Sequence, residues 1–164
     1  MKNITDTLKH KIIEGPALQE QVETWKTGGK KIVFTNGCFD LLHAGHIAYL
    51  SEAADLGDVL IVGLNSDSSV QVLKGPTRPV NDQQTRAAIL GSMFFIDAVV
   101  PFSEETPLNL IKAILPDVLV KGGDYEIAQI AGSKEVLANG GEVRILSFLP
   151  GYSSSAVIEK IKKS

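Results

Sequence analysis

From Lys31 onward, short apolar runs alternate with longer segments whose apolar residues recur at helical spacing. The runs at 32–35, 59–64, 98–101, 118–120 and 143–146 are rich in Val, Ile and Leu, the composition of strands covered on both faces. Helical patterns fall between them and after them, at 44–56, 66–73, 82–95, 107–115, 127–139 and 154–162. This alternation predicts an α/β fold: an open, doubly wound parallel sheet of about five strands with helices on both sides. Residues 16–27 read as one amphipathic helix, with Pro16 in the first turn and Leu18, Val22 and Trp25 along one face. Gly28 and Gly29 end it. Residues 1–30 are therefore expected to form a helical arm packed on a domain spanning 31–164, and the stretch before Pro16 to be flexible. No internal repeat or low-complexity tract interrupts the pattern. Such a fold hosts many functions, so periodicity alone leads no further.

Composition narrows the class. At 164 residues, 44% hydrophobic and 21% charged, the chain suits one soluble globular domain. Sixteen basic against nineteen acidic residues give a net charge of −3, with no global attraction to nucleic acid or an anionic membrane. No apolar run approaches the roughly 20 residues of a membrane span, and the first six residues lead into no apolar signal segment. Cys38 is the single cysteine, which excludes an intrachain disulfide. The expectation is a cytoplasmic protein without nucleic-acid or membrane partners; a homo-oligomer is left open.

The densest chemistry lies in Thr35-Asn36-Gly37-Cys38-Phe39-Asp40-Leu41-Leu42-His43-Ala44-Gly45-His46, which runs from the end of the first strand into the first helix of the sheet. An open parallel sheet places its ligand crevice there. His43 and His46 share a face if the turn between them is helical, and each can donate an N–H to a phosphate oxygen, more strongly when protonated. Gly45 would leave room for an anion against the free N–H groups of the helix start. The rival readings are ordinary histidines or a metal pair. The metal pair is disfavoured because, apart from Asp40, no further ligand stands in recognisable spacing.

Lys74 precedes Gly75-Pro76-Thr77-Arg78-Pro79, a loop able to close over a pocket and bring Lys74 and Arg78 onto an anion. Taken alone, each is equally a solvated surface cation. Arg86, on an otherwise apolar helical stretch, reads either as a phosphate ligand or as a structural ion-pair partner. Lys121-Gly122-Gly123-Asp124-Tyr125 follows the fourth strand, where two glycines allow close backbone approach. Ser153, Ser154 and Ser155 open the last helix, as caps or as a second anion-binding helix start.

The segment from Asn36 to His46 is similar to the signature of the His-x-Gly-His nucleotidyltransferases, which include cytidylyltransferases and pantetheine-phosphate adenylyltransferase. Further matching stretches follow in order at 65–70, 74–81, Arg86, 100–107, 115–125, 130–132 and 151–155. Together, over residues 31–161, they most resemble the D-glycero-β-D-manno-heptose 1-phosphate adenylyltransferase family. The resemblance implies a Rossmann-like nucleotidyltransferase fold and a reaction of ATP with a sugar 1-phosphate that gives ADP-heptose and pyrophosphate for lipopolysaccharide or other surface-glycan synthesis. It implies Mg²⁺ carried mainly by the phosphates, with no protein metal site. It assigns catalysis to His43, His46 and Lys74. Nucleotide binding falls to Asn36, Gly37, Cys38, Phe39, Gly45, Lys121, Gly122, Gly123, Asp124, Ser153 and Ser154. Substrate binding falls to Asp40, Asp67, Arg78 and Arg86. No sugar-kinase segment accompanies these residues, which suggests a stand-alone form.

Two departures bear on the branch. Glycerol-phosphate cytidylyltransferases carry arginines where this chain has Phe94-Phe95 and Phe148-Leu149-Pro150, which disfavours CTP with a polyol phosphate. The serines at 154 and 155 replace the usual threonines but keep their hydroxyls. A non-catalytic nucleotide-binding regulatory module is the alternative from another class. The intact His43, His46, Lys74 and serines speak against it. A dehydrogenase is disfavoured because no Gly-x-Gly-x-x-Gly follows the first strand.

Overall fold

The computed structural model describes residues 3–163; Met1, Lys2 and Ser164, at the two ends of the expected arm and domain, lie outside the described residues. Five strands form one parallel sheet: β1 Ile32–Gly37, β2 Val59–Asn65, β3 Ala98–Phe102, β4 Val118–Gly122 and β5 Glu142–Leu146. Their order is β3-β2-β1-β4-β5, with β1 aligned on β2 from Ile32↔Val59 to Gly37↔Leu64. Successive strand residues point to opposite faces. Ile32, Phe34, Ile61 and Leu119 therefore pack on one face with Leu18 and Val22 of α2 (Pro16–Thr27), Ile111 and Ile114 of α6 (Leu108–Ile114), and Val136 of α7 (Ser133–Ala138). Val33, Leu60, Val62 and Val120 pack on the other with Leu50 and Ala53 of α3 (Ala44–Ala54) and Ala87 and Leu90 of α5 (Gln83–Gly91). The central strands β1, β2 and β4 begin as apolar runs because both faces are covered, whereas the edge strand β5 carries Glu142 and an exposed Arg144. α4 (Asp67–Lys74) follows β2, and α8 (Ser154–Lys162) follows β5. Among the described residues, no helix is long and apolar enough to cross a membrane.

The two edges of the sheet are built differently. At the amino edge, Asp58, Asp97 and Asp117 accept hydrogen bonds from the N–H groups of Lys31, Leu60 and Ile32 at 2.7–2.8 Å. The carboxyl edge, where β1, β2 and β4 end in Asn36-Gly37, Asn65 and Lys121-Gly122, carries the open crevice. The sheet order reverses there, between β1 and β4.

Two expectations are corrected. The described part of the stretch before Pro16 takes up regular structure: α1 (Ile4–Lys11) is capped by Asn3, Ile12 forms a parallel bridge to Val99, and the Ile13 N–H donates to the Val99 carbonyl at 3.0 Å. Ile13 is buried and Lys11 Nζ donates to the Met93 carbonyl, so the segment covers the free edge of β3. The pattern at 127–139 is also not one helix. It divides into a 3₁₀ turn, Ile127–Gln129, and α7, because Gly132 between them sits at φ +82°. A Cβ there would lie 2.6 Å from Ile111 Cγ2, so the close packing on α6 requires glycine.

Candidate active site

A cavity of about 700 Å³ opens over the carboxyl ends of β1 and β4. Asn36, Gly37, Cys38, Phe39, Asp40, His46, Lys74, Lys121, Gly122, Gly123, Asp124 and Ser154 line it. A recess of about 250 Å³ shares His46, Lys74 and Ser154 with it and adds His43, Gly45 and Ser153. Every residue that the resemblance gave to catalysis or nucleotide binding is thus in one continuous crevice. Of the four given to substrate binding, Asp40 alone lines it; Asp67, Arg78 and Arg86 do not.

His43 is the cap residue of α3, extended at φ −144°, ψ 172°, and its carbonyl accepts from the His46 N–H at 2.9 Å. This first turn stacks the two rings, with centroids 3.8 Å apart at 25°. The side of Gly45 on which a Cβ would stand is taken up by this stack. A Cβ there would meet His43 Nδ1 and Tyr152 Cβ at 3.0 Å. Burial lowers the pKa of His43; for His46, burial, then the neighbouring His43, then Lys74 push it down to about 4. Both rings are therefore neutral at pH 7 and donate as neutral N–H groups, the weaker of the two cases that the sequence allows. The Nδ1 atom of each is buried without a partner among the described residues. A bare lone pair is tolerated there better than a bare N–H, which puts the single proton of each ring on Nε2. Two neutral N–H donors result.

The cations stand around them. Lys74 is the last residue of α4 and is exposed to the crevice. Lys121 is half-buried on β4, donates to Asn36 Oδ1 at 3.3 Å and lies 5.8 Å from the Tyr125 ring centre. Burial pulls its pKa below the ordinary lysine value. Ser153 caps α8 by accepting from the Ala156 N–H, and Ser154 Oγ donates to the Leu41 carbonyl at 2.8 Å. As placed, Ser154 has no O–H left for a phosphate; what the helix start offers is the Ser153 hydroxyl hydrogen and the backbone N–H groups of its first turn. Burial raises the Cys38 thiol pKa, which keeps it protonated and poorly nucleophilic.

Asp40, Arg78, Asp67 and Arg86 tie together the loops that surround the crevice. Asp40 is 1% exposed; it accepts from Arg78 Nε at 2.5 Å and from the N–H groups of Val80 and Asn81 at 2.7 and 3.1 Å. Burial opposes its ionisation, but these bonds, with the Arg78 charge, outweigh it and hold the carboxyl below its usual range. Asp40 thereby fastens the 75–81 loop that follows Lys74. Arg86 is fully buried: Nε donates to the Asn81 carbonyl at 3.0 Å, Nη1 to those of Cys38 and Asn65 at 2.6 and 2.8 Å, and Nη2 to Asp67 at 2.7 Å. Of its two sequence readings, the structure takes the ion pair. It joins the loop after β1, the loop after β2 and the 75–81 loop; Arg86 is enclosed there, while the Asp67 carboxylate stays partly exposed outside the crevice lining.

Sequence reasoning missed the aromatic wall. Phe148 lies over the glycine pair, so that a Cβ on Gly122 would come within 2.4 Å of its ring. Tyr49 packs 5.9 Å from Phe148 and shares a 2.7 Å hydrogen bond with Thr35. The available signal was Tyr49 standing three residues after His46 on one helix.

Comparison with known proteins gives the family. A model of the cytidylyltransferase-like family matches residues 34–160. The bifunctional protein HldE of Photobacterium profundum is 58% identical over 151 residues, 92% of this chain and 32% of that protein. Its counterpart in Pectobacterium atrosepticum is 57% identical over 147 residues, 90% of this chain and 31% of that one. The chain thus spans about a third of the length of these curated relatives. Among solved structures, a lipopolysaccharide core biosynthesis protein from Thermoplasma volcanium superposes with a TM-score of 0.61 at 28% identity, over 74% of this chain and 98% of that one. A pantoate-beta-alanine ligase from Francisella tularensis shares the fold, with a TM-score of 0.53 at 15% identity over 93% of this chain and 78% of that one. With the family model covering the sheet from β1 through α8, the chain belongs to the cytidylyltransferase-like family.

Proposed function

We propose that this chain is an adenylyltransferase that converts ATP and D-glycero-β-D-manno-heptose 1-phosphate to ADP-heptose and pyrophosphate, in the synthesis of lipopolysaccharide precursors. The observation that carries the reading is the convergence of two neutral imidazole N–H donors, Lys74, Lys121 and the start of α8 on one crevice. The likeness to the HldE proteins and to a lipopolysaccharide core biosynthesis protein supports the choice of substrate.

The acceptor phosphate is largely dianionic at neutral pH, since its second pKa is about 6. It needs no general base. One of its oxygens attacks the α-phosphorus of ATP; the new O–P bond forms as the bond to the β-phosphate oxygen breaks, and pyrophosphate leaves with that electron pair. The barrier is the approach of one anion to another, so catalysis consists of alignment and charge neutralisation. His43 and His46 donate from Nε2 to the phosphate oxygens on which charge develops. Lys74 bridges the acceptor phosphate and the α-phosphate. The α8 start holds the β- and γ-phosphates. Asp40 is saturated by its own partners, and Asp124 is the remaining carboxylate on the lining. That donor set fits Mg²⁺ entering as MgATP, bound chiefly through phosphate oxygens.

The test is pyrophosphate release with Mg²⁺, pairing ATP or CTP with the heptose 1-phosphate or glycerol 3-phosphate. Turnover confined to ATP with the heptose is expected. Turnover with CTP would overturn the substrate assignment, and silence with all four pairs in nucleotide-binding protein would favour a regulatory module.

A further inference from the structure

A second cavity, of about 330 Å³, adjoins the first across the tip of β1. The two share Asn36, Gly37, Cys38, Lys121 and Tyr125 as a common wall, but the second extends the other way, toward the ends of β2 and β3. Its chemistry differs. His43, His46, Lys74 and the α8 serines all lie on the first cavity or its recess, whereas the second has no cation of its own beyond the shared Lys121. It presents instead a carboxylate, Glu105, an amide, Gln129, a hydroxyl, Thr106, and Asn65.

Asn65 shows that this wall is built. It is 3% exposed and its Nδ2 donates to Ser69 Oγ at 2.7 Å, yet Oδ1 has no partner among the described residues. Glu105 and Gln129 are exposed and their side chains hold no hydrogen bond or ion pair among the described residues. Oxygen acceptors and an amide around a space of this size suit a hydroxyl-rich, uncharged group and repel a second phosphate.

We infer that the second cavity binds the polyhydroxylated body of the acceptor, with its phosphate at the shared Lys121, and that Glu105 and Gln129 are specificity-determining residues. This deepens, and rests on, the adenylyltransferase reading.

The experiment is steady-state kinetics of Glu105→Ala and Gln129→Ala with both substrates varied. Loss of a carboxylate hydrogen-bonded to sugar hydroxyls raises KM for the heptose 1-phosphate about 10- to 100-fold, and loss of the amide about 3- to 10-fold. KM for MgATP stays within about two-fold in both, because the contact is confined to the acceptor. Glu105→Gln, which keeps an acceptor oxygen, recovers most of the loss. Unchanged sugar-phosphate KM in both alanine variants would overturn the subsite and leave the adenylyltransferase reading standing, as would an equal rise in both KM values, the mark of a merely structural role. Absence of turnover in the wild type with ATP and the heptose would overturn both.

Discussion

Replacing His46 with alanine is expected to lower kcat by roughly 10²- to 10³-fold while KM for MgATP moves by less than about three-fold. The asymmetry follows from where the donor acts. A neutral N–H bonds weakly to an oxygen of ground-state ATP that already shares its charge with a cation. It bonds more strongly to the oxygens on which charge accumulates as pyrophosphate departs. The stacked pair also explains why the donors need not be cations: the buried Nδ1 atoms fix the proton on Nε2, and burial holds His46 down to about 4. The pKa lies below the ordinary value, so acid, not base, alters this group. In kcat/KM for MgATP, protonation of His46 therefore contributes no change between about pH 6 and 8 and enters only as the pH falls toward the lowered pKa. Unchanged kcat with weaker ATP binding would remove His46 from the transition state.

Arg86→Ala is expected to cost on the order of 3–5 kcal/mol of folding stability, read as a fall in Tm of roughly 10 °C or more. The guanidinium is fully buried and four of its five N–H groups are used on three backbone carbonyls and Asp67. Its removal leaves the carbonyls of Cys38, Asn65 and Asn81 without that partner at the junction of three crevice loops. Arg86→Lys supplies a charge but not the planar fork, so it recovers only part of the loss. Thermal or urea denaturation measures both. A cost below about 1 kcal/mol for the alanine variant would mean that water replaces the guanidinium and that the loops do not depend on it.

Arg86 also marks where the sequence ceases to be legible. Strands and α2 could be read because a strand buried on both faces is a continuous apolar run and a half-buried helix is periodic; both signals are local. The docking of Ile12 and Ile13 beside Val99 has no such signal, since two isoleucines become an edge only when β3 lies next to them. Gly132 was visible, but its consequence depended on Ile111, twenty-one positions away in sequence. The crevice was legible in outline because His43, His46, Lys74 and Lys121-Gly122-Gly123 each follow a strand or stand at a helix end. The partition of charge was not. Whether Asp40 and Arg78 reach for a substrate or for each other is decided by a 2.5 Å contact between segments 38 residues apart.

The central claim is one direct, in-line transfer at the α-phosphorus, with the protein supplying donors and no nucleophile. It is tested most directly by turnover of a single diastereomer of adenosine 5′-O-(1-thiotriphosphate) with the heptose 1-phosphate, followed by determination of configuration at phosphorus in the product. Inversion is the predicted result. Retention would require two displacements and a covalent nucleotidyl-enzyme, at the Cys38 thiol or a histidine, and would contradict the assignment of His43 and His46 as neutral donors.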